Sequence, residues 1–275
     1  MKRLFLYCFA AIVLTACVNQ LTEESEQPKQ RITFNVVQTE KQPLSRAALG
    51  DACSVLDYYR VTDGVVAATQ HQTLESQTFG TIADEMEWGT HHLYFVGHKQ
   101  TITNFSNGVA SFDKVSDTFT HYLQLVVNDD SEATQAVELT RSVAKFELVA
   151  TDALPEGLAA LDIVITGANN IVDVETQLAA TQSTVQKRIE VPAANIGKRN
   201  CTFSAYMFLT DTDSEVDIAI TALDSNDDEL LYIEFEDVEM SINYITRYKG
   251  QLFDMNTSMA VTVNSDWADT NETLF

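Results

Sequence analysis

The sequence is poor in residues that break or bend a chain, with 10 glycines and 4 prolines in 275 positions. That scarcity excludes collagen-like repeats and Pro/Gly-rich disorder. Basic residues are also few, 17 against 40 acids, for a formal charge of −23. A chain this acidic does not hold nucleic acid by phosphate neutralisation, and anionic headgroups repel it. No apolar run of about 20 residues follows the first twenty positions, so the body has no expected membrane-spanning helix. Catalytic signatures are missing too: no Gly-x-Ser-x-Gly elbow, no phosphate-cradling glycine loop and no His-Glu-x-x-His zinc helix. What is present is 45% hydrophobic, 9% aromatic and 21% charged. This is globular composition, long enough for one large domain or two of ordinary size.

The N-terminus has its own character. Lys2 and Arg3 form a positive start, and Leu4 to Leu14 is apolar throughout. Such a segment is too short to span a bilayer and reads as a secretory signal. It ends in Leu14-Thr15-Ala16-Cys17, which resembles the bacterial lipobox. On that reading residues 1–16 are removed and the Cys17 thiol carries a diglyceride, two or more acyl chains anchoring stably where one does not. The other reading is an ordinary signal cut after Ala16, with Cys17 left free. Residues 17–30 are polar and acidic (Glu23, Glu24, Glu26), a lipidated tether expected to span roughly 20 Å. Processing removes Cys8 and uses Cys17, leaving Cys53 and Cys201. An exported chain could pair them in one disulfide. They lie far apart among apolar and β-forming residues, however, so two buried free thiols are expected. Neither adjoins a histidine or basic cluster that would activate it.

From Arg31 onward the dominant signal is alternation. Apolar residues recur at every second position in Ile32/Phe34/Val36, Leu123/Leu125/Val127, Ala144/Phe146/Leu148 and Leu161/Ile163/Ile165. The same holds for Phe203/Ala205/Met207/Leu209, Val216/Ile218/Ile220, Leu231/Ile233/Phe235 and Met259/Val261/Val263. One apolar and one mixed face marks half-buried antiparallel strands. Turn signals at Asp63-Gly64, Asn107-Gly108, Asn128 to Asp130 and Ser225 to Asp228 separate them. Residues 74–87 and 174–182 are the best short helical candidates. The expected fold is all-β, two antiparallel β-sandwich domains in tandem: residues 31–135, then residues 136–275. The polar run Asn128 to Gln135 is the expected boundary.

Candidate chemistry is sparse. The five histidines, His71, His91, His92, His98 and His121, all lie in the first domain, and their spacing offers no metal-ligand set. His92 and His98 would share a strand face with Tyr94 and Val96. Asp211-Thr212-Asp213-Ser214-Glu215 begins like a calcium loop but has Val216 where glycine is needed and Ala222 where the bidentate Glu belongs. It reads as a turn. No metal, cofactor or catalytic residue is expected, and no two of the carboxylates stand out as a glycosidase pair. Residues 211–239 hold twelve acids and no Lys or Arg. They read as a solvated hairpin whose charge guards its edge, or else as a docking face for a basic partner or weakly held divalent cations. Tyr58, Tyr59, Trp88 and Tyr94 could stack on sugars, or serve as strand packing.

Three stretches carry a family resemblance. Leu139-Thr140-Arg141-Ser142-Val143-Ala144-Lys145-Phe146-Glu147-Leu148, Asn243-Tyr244-Ile245-Thr246-Arg247-Tyr248-Lys249-Gly250-Gln251-Leu252-Phe253, and Val261-Thr262-Val263-Asn264-Ser265-Asp266-Trp267 are similar to strands of the second domain of fimbrillins. With the lipobox and tether, the chain resembles the fimbrillin superfamily of Bacteroidota, above all its anchor and tip lipoproteins. The resemblance implies two transthyretin-like sandwiches exported as an outer-membrane lipoprotein that anchors or assembles a fimbria. In polymerising members an Arg-specific protease removes an N-terminal strand, and a strand from a neighbouring subunit fills the groove. Ser45-Arg46-Ala47 is the corresponding cleavage candidate, the other reading of Arg46 being an exposed loop arginine. Anchor members keep their lipid. The eight residues after Trp267 leave little tail to donate, so an anchor or terminal role is expected. The alternatives are a protease-processed shaft or tip subunit and a surface lipoprotein that binds a glycan or host-surface ligand.

Overall fold

The computed structural model describes residues 28–38, 46–254 and 260–264. Within them every alternating segment is a strand. The first half contributes β1 (Lys29–Gln38), β2 (Val55–Thr62), β3 (Val65–Thr73), β4 (Thr81–Glu87), β5 (Gly89–His98), β6 (Ile102–Ser106), β7 (Val109–Phe112), β8 (Phe119–Val127) and β9 (Thr134–Arg141). One short helix, α1 (Arg46–Ala52), joins β1 to β2. The second half contributes β10 (Ala144–Ala150), β11 (Ala160–Asn169), β12 (Ile171–Asp173), β13 (Leu178–Ala179), β14 (Ser183–Glu190), β15 (Cys201–Leu209), β16 (Asp213–Leu223), β17 (Glu229–Ser241), β18 (Ile245–Gly250) and β19 (Ala260–Asn264).

The first sheet runs β3-β2-β5-β8-β9-β1-β4 and curls until its two wings face each other. Phe34 of β1 lies against Tyr58 of β2 and Phe95 of β5, with ring centroids 6.0 and 5.4 Å away. All three rings are fully buried, with Ile32, Ile82 and Leu93 beside them. Burial of each such side chain contributes about 1.5–3 kcal/mol, against which stands the entropy of ordering the chain. The second sheet runs β17-β16-β11-β15-β10-β18-β19, with β14 also paired to β11. Its core holds Phe146, Ile163, Ile165, Met207, Ile218 and Ile220. Both halves are therefore β-sandwiches, as the alternation predicts.

The two are fused rather than strung together. Strand β7 of the first half pairs with β12 of the second, Ala110 opposite Val172, in a sheet of order β13-β12-β7-β6. Beneath it lies a third core, in which Phe112 meets Phe208 at 5.5 Å among Val96, Val143 and Val174. The β6–β7 turn needs glycine: Gly108 has φ +81°, and a Cβ there would stand 2.7 Å from the Tyr94 ring.

Neither segment read as a short helix is one. Residues 75–80 are turns, and 81–87 are strand β4. Its inward row is Ile82, Asp84, Met86, and the acid in the middle conceals the alternation. Asp84 is tolerated there because the Tyr58 hydroxyl and Arg60 Nε donate to it at 2.9 and 2.8 Å. In the other segment the Asp173 carboxylate accepts from the N–H groups of Glu175 and Thr176, which turns the chain into β13. Strand pairing also moves the division of the chain. The run 128–135 is the turn from β8 into the start of β9, and β9 lies parallel to β1, with Val36 opposite Val137. Residues 136–141 thus complete the first sheet, and the second begins with β10.

Candidate assembly site

β1 is the strand on which an assembly role would turn. Its apolar row, Ile32, Phe34 and Val36, is buried, while Arg31 and Asn35 face solvent. It is an interior strand, antiparallel to β4 on one side and parallel to β9 on the other. Gln30 Nε2 donates to Ser131 O at 2.6 Å, and Lys29 pairs with Glu87 at 3.5 Å. Arg46 is the first residue of α1, just after β1 in the chain. A cut after it would leave β1 attached to the body by its two ladders and packing alone. Cys17, the tether up to residue 27, Ser45 and Trp267 lie outside the described residues.

The strands ending each sheet are β3 and β4 in the first, β17 and β19 in the second. β17 has half-buried Leu231, Ile233 and Phe235 on one face and exposed Leu230 and Tyr232 on the other. The acidic stretch 211–239 is the β16–β17 hairpin. At its tip the Asp224 carboxyl is held below its ordinary range by the N–H groups of Asp228 and Asn226. The calcium-like stretch is a turn into β16, in which Asp211 Oδ1 accepts from Thr212 N. Among the described residues no group of three or more His, Cys, Asp or Glu could hold a metal.

Residues of the family-like stretches take part in three separate polar clusters. Arg141 grips Asp117 through Nε and Nη2, at 2.6 and 3.1 Å, and donates from Nη1 to Asn243 Oδ1 at 2.8 Å. Its guanidinium also covers the Phe119 ring at 4.6 Å. Glu147 lies between Lys145 and Arg247. Burial alone would raise its carboxyl, but the bonds from those two cations outweigh burial and hold it low. Asp152 accepts from the N–H groups of Leu252, Phe253 and Asp254 at 3.0, 2.6 and 3.0 Å, fixing the chain just past β18. These motif residues hold strands in place.

The remaining candidates fall out by position. Asp57 accepts from two histidines, His71 Nδ1 at 2.6 Å and His98 Nε2 at 2.7 Å. That pairing was invisible locally because it spans β2, β3 and β5. His91 bonds to Thr62 and the Glu87 carbonyl, and His92 to the Tyr122 hydroxyl. Of the four aromatics read as sugar platforms, Tyr58 is core, while Tyr59 and Tyr94 pack on Phe105. Trp88 is exposed. Both thiols are free: Cys53 is fully buried, whereas Cys201 is only half-buried, at variance with the expectation for it. Burial pushes the Cys53 thiol up to about 12.

Fold and site together define a tandem β-sandwich protein whose N-terminal strand is built into its first sheet. The chain belongs to a family of unknown function (DUF6562), matched over residues 83–273. No curated protein matches it in sequence. Among solved structures, candidate polysaccharide-binding proteins from Bacteroides thetaiotaomicron align with a TM-score of 0.52 and 9% identity, over 86% of this chain and 97% of that one. A candidate adhesin from Bacteroides ovatus aligns with a TM-score of 0.51 and 9% identity, over 76% and 83%. The C-terminally truncated tip fimbrial protein Mfa3 of Porphyromonas gingivalis aligns at 0.44 and 12%, over 87% and 100%. At 9% identity the first two likenesses are ones of fold alone.

Proposed function

We infer that this chain is a surface lipoprotein, held in the outer membrane through Cys17, that anchors or assembles a fimbria by strand-mediated contacts with fimbrial subunits and catalyses no reaction. The observation that carries the reading is the place of β1. The first strand after the tether is flanked on both sides, so tension arriving from the lipid loads two ladders along their length rather than peeling an edge. The three fimbrillin-like stretches, the adhesin-type fold and the end strands β4 and β17 support the same role. A second reading follows from Arg46. A cut there would leave β1 held by pairing and packing alone, and its later displacement would expose the groove lined by partners of Ile32, Phe34 and Val36, as in a processed shaft or tip subunit.

The test is membrane fractionation joined to crosslinking. The native chain is expected in the outer-membrane fraction, crosslinked to fimbrial subunits. Replacing residues 1–17 with a non-lipidated secretory signal should release it. Membrane retention after that exchange, or a crosslinked complex without fimbrial subunits, would overturn the reading.

A further inference from the structure

The junction of the two sandwiches holds a cleft of about 360 Å³ between the β7–β8 loop of the first domain and β14 and β15 of the second. Its walls are unusually basic for a body of this charge. Lys187 sits in a row of β14 that otherwise faces the core, between Val185 and Ile189 and opposite the buried Ile163. Its Nζ lies 5.9 Å from the Tyr206 ring centroid, and Lys145 Nζ lies 5.6 Å from the same ring. Lys114 enters the same cleft from the other domain. Burial, then repulsion from Lys145 and Lys114, lowers the Lys187 ammonium below its ordinary range. Lys145 is matched by Glu147 and Arg188 by Glu190 and Asp227, but no carboxylate is within ion-pair distance of Lys187 or Lys114 among the described residues. A half-buried lysine pressed by like charge and left unmatched is costly, and a bound anion removes that cost.

We propose that this cleft binds a short acidic saccharide, with Lys187 and Lys114 on the carboxylate of a uronate-type sugar. Thr184, Gln186 and Asp113 line the cleft with a hydroxyl, an amide and an acceptor suited to ring hydroxyls. The volume falls in the range of small-molecule pockets and suits one or two sugar rings. The negative field of the whole chain disfavours long polyanions, so a short saccharide with one carboxylate on each of its one or two rings is the class that enters. The inference does not depend on the assembly role.

Calorimetric titration of the mature chain with digalacturonate, its carboxyl-reduced neutral counterpart and a Glu-Glu dipeptide tests it. Digalacturonate is expected to bind and the other two are not. Lys187→Met should weaken binding about tenfold or more, as loss of a charge-assisted contact does, while Lys187→Arg keeps most of it. Lys187→Met should also melt no lower than wild type, which separates lost binding from lost fold. Equal binding of the neutral sugar, binding of the dipeptide alone, absence of digalacturonate binding, or no effect of Lys187→Met overturns the proposal.

Discussion

Asp152 shows how much one carboxylate can organise. It collects three backbone N–H groups from residues 252–254, about 100 positions away, and so closes the second sandwich after β18. Asp152→Asn should cost about 2–4 kcal/mol in urea unfolding, because charge-assisted bonds weaken together and buried donors lose their acceptor. The same contacts set a pH dependence. Burial alone would raise the carboxyls of Asp152 and Glu147, yet the N–H groups around the first and Lys145 and Arg247 around the second hold both low. A carboxyl lowered by folding contributes stability that is full above its unfolded value and is lost as pH falls through the folded one. Wild type should therefore lose stability below about pH 4, and Glu147→Gln should flatten that fall when unfolding is followed at several pH values. A wild-type curve no steeper than the variant's would refute the assignment. The thiols give a third residue-scale expectation. Half-buried Cys201 should react with a maleimide well before Cys53, whose thiol is buried and raised to about 12. Peptide mapping after partial labelling reads the order.

At the scale of elements, alternation made most of the fold legible. Where it failed, a polar group stood in an apolar row. Asp84 hid β4 because its partners, Tyr58 and Arg60, lie on another strand. Polar Thr134 and Gln135 made the start of β9 look like a linker, although Val137 and Leu139 behind them are buried. The site was less legible than the fold. Asp57 meets His98 only through the β2–β5 pairing, and nothing local announces it. Lys187 did leave a trace, a lysine between Val185 and Ile189, but its meaning needed Lys114 from the other domain. Two substitutions test the elements directly. Phe34→Ala should cost about 3–5 kcal/mol by emptying the centre of the first core. Gly108→Ala should destabilise through the Tyr94 clash and the positive φ, a loss of melting temperature that a matched change at Gly197, with open space around it, reproduces only in its φ component.

For the whole molecule, the shared sheet and third core make one unit of two sandwiches. Ala110 pairs with Val172, Phe112 packs on Phe208, and Asn170 Nδ2 donates to Phe112 O at 2.6 Å. Heating should give one calorimetric transition, and two well-separated ones would mean the junction contributes little. The most direct test is mass spectrometry of the N-terminus of the protein taken from native outer membranes. The account predicts an acylated Cys17 with the chain continuous through Arg46, so that β1 is still joined to the body. A chain beginning at Ala47 would make it a processed subunit instead of a retained anchor, and an unmodified Cys17 on a soluble chain would contradict lipid anchoring altogether.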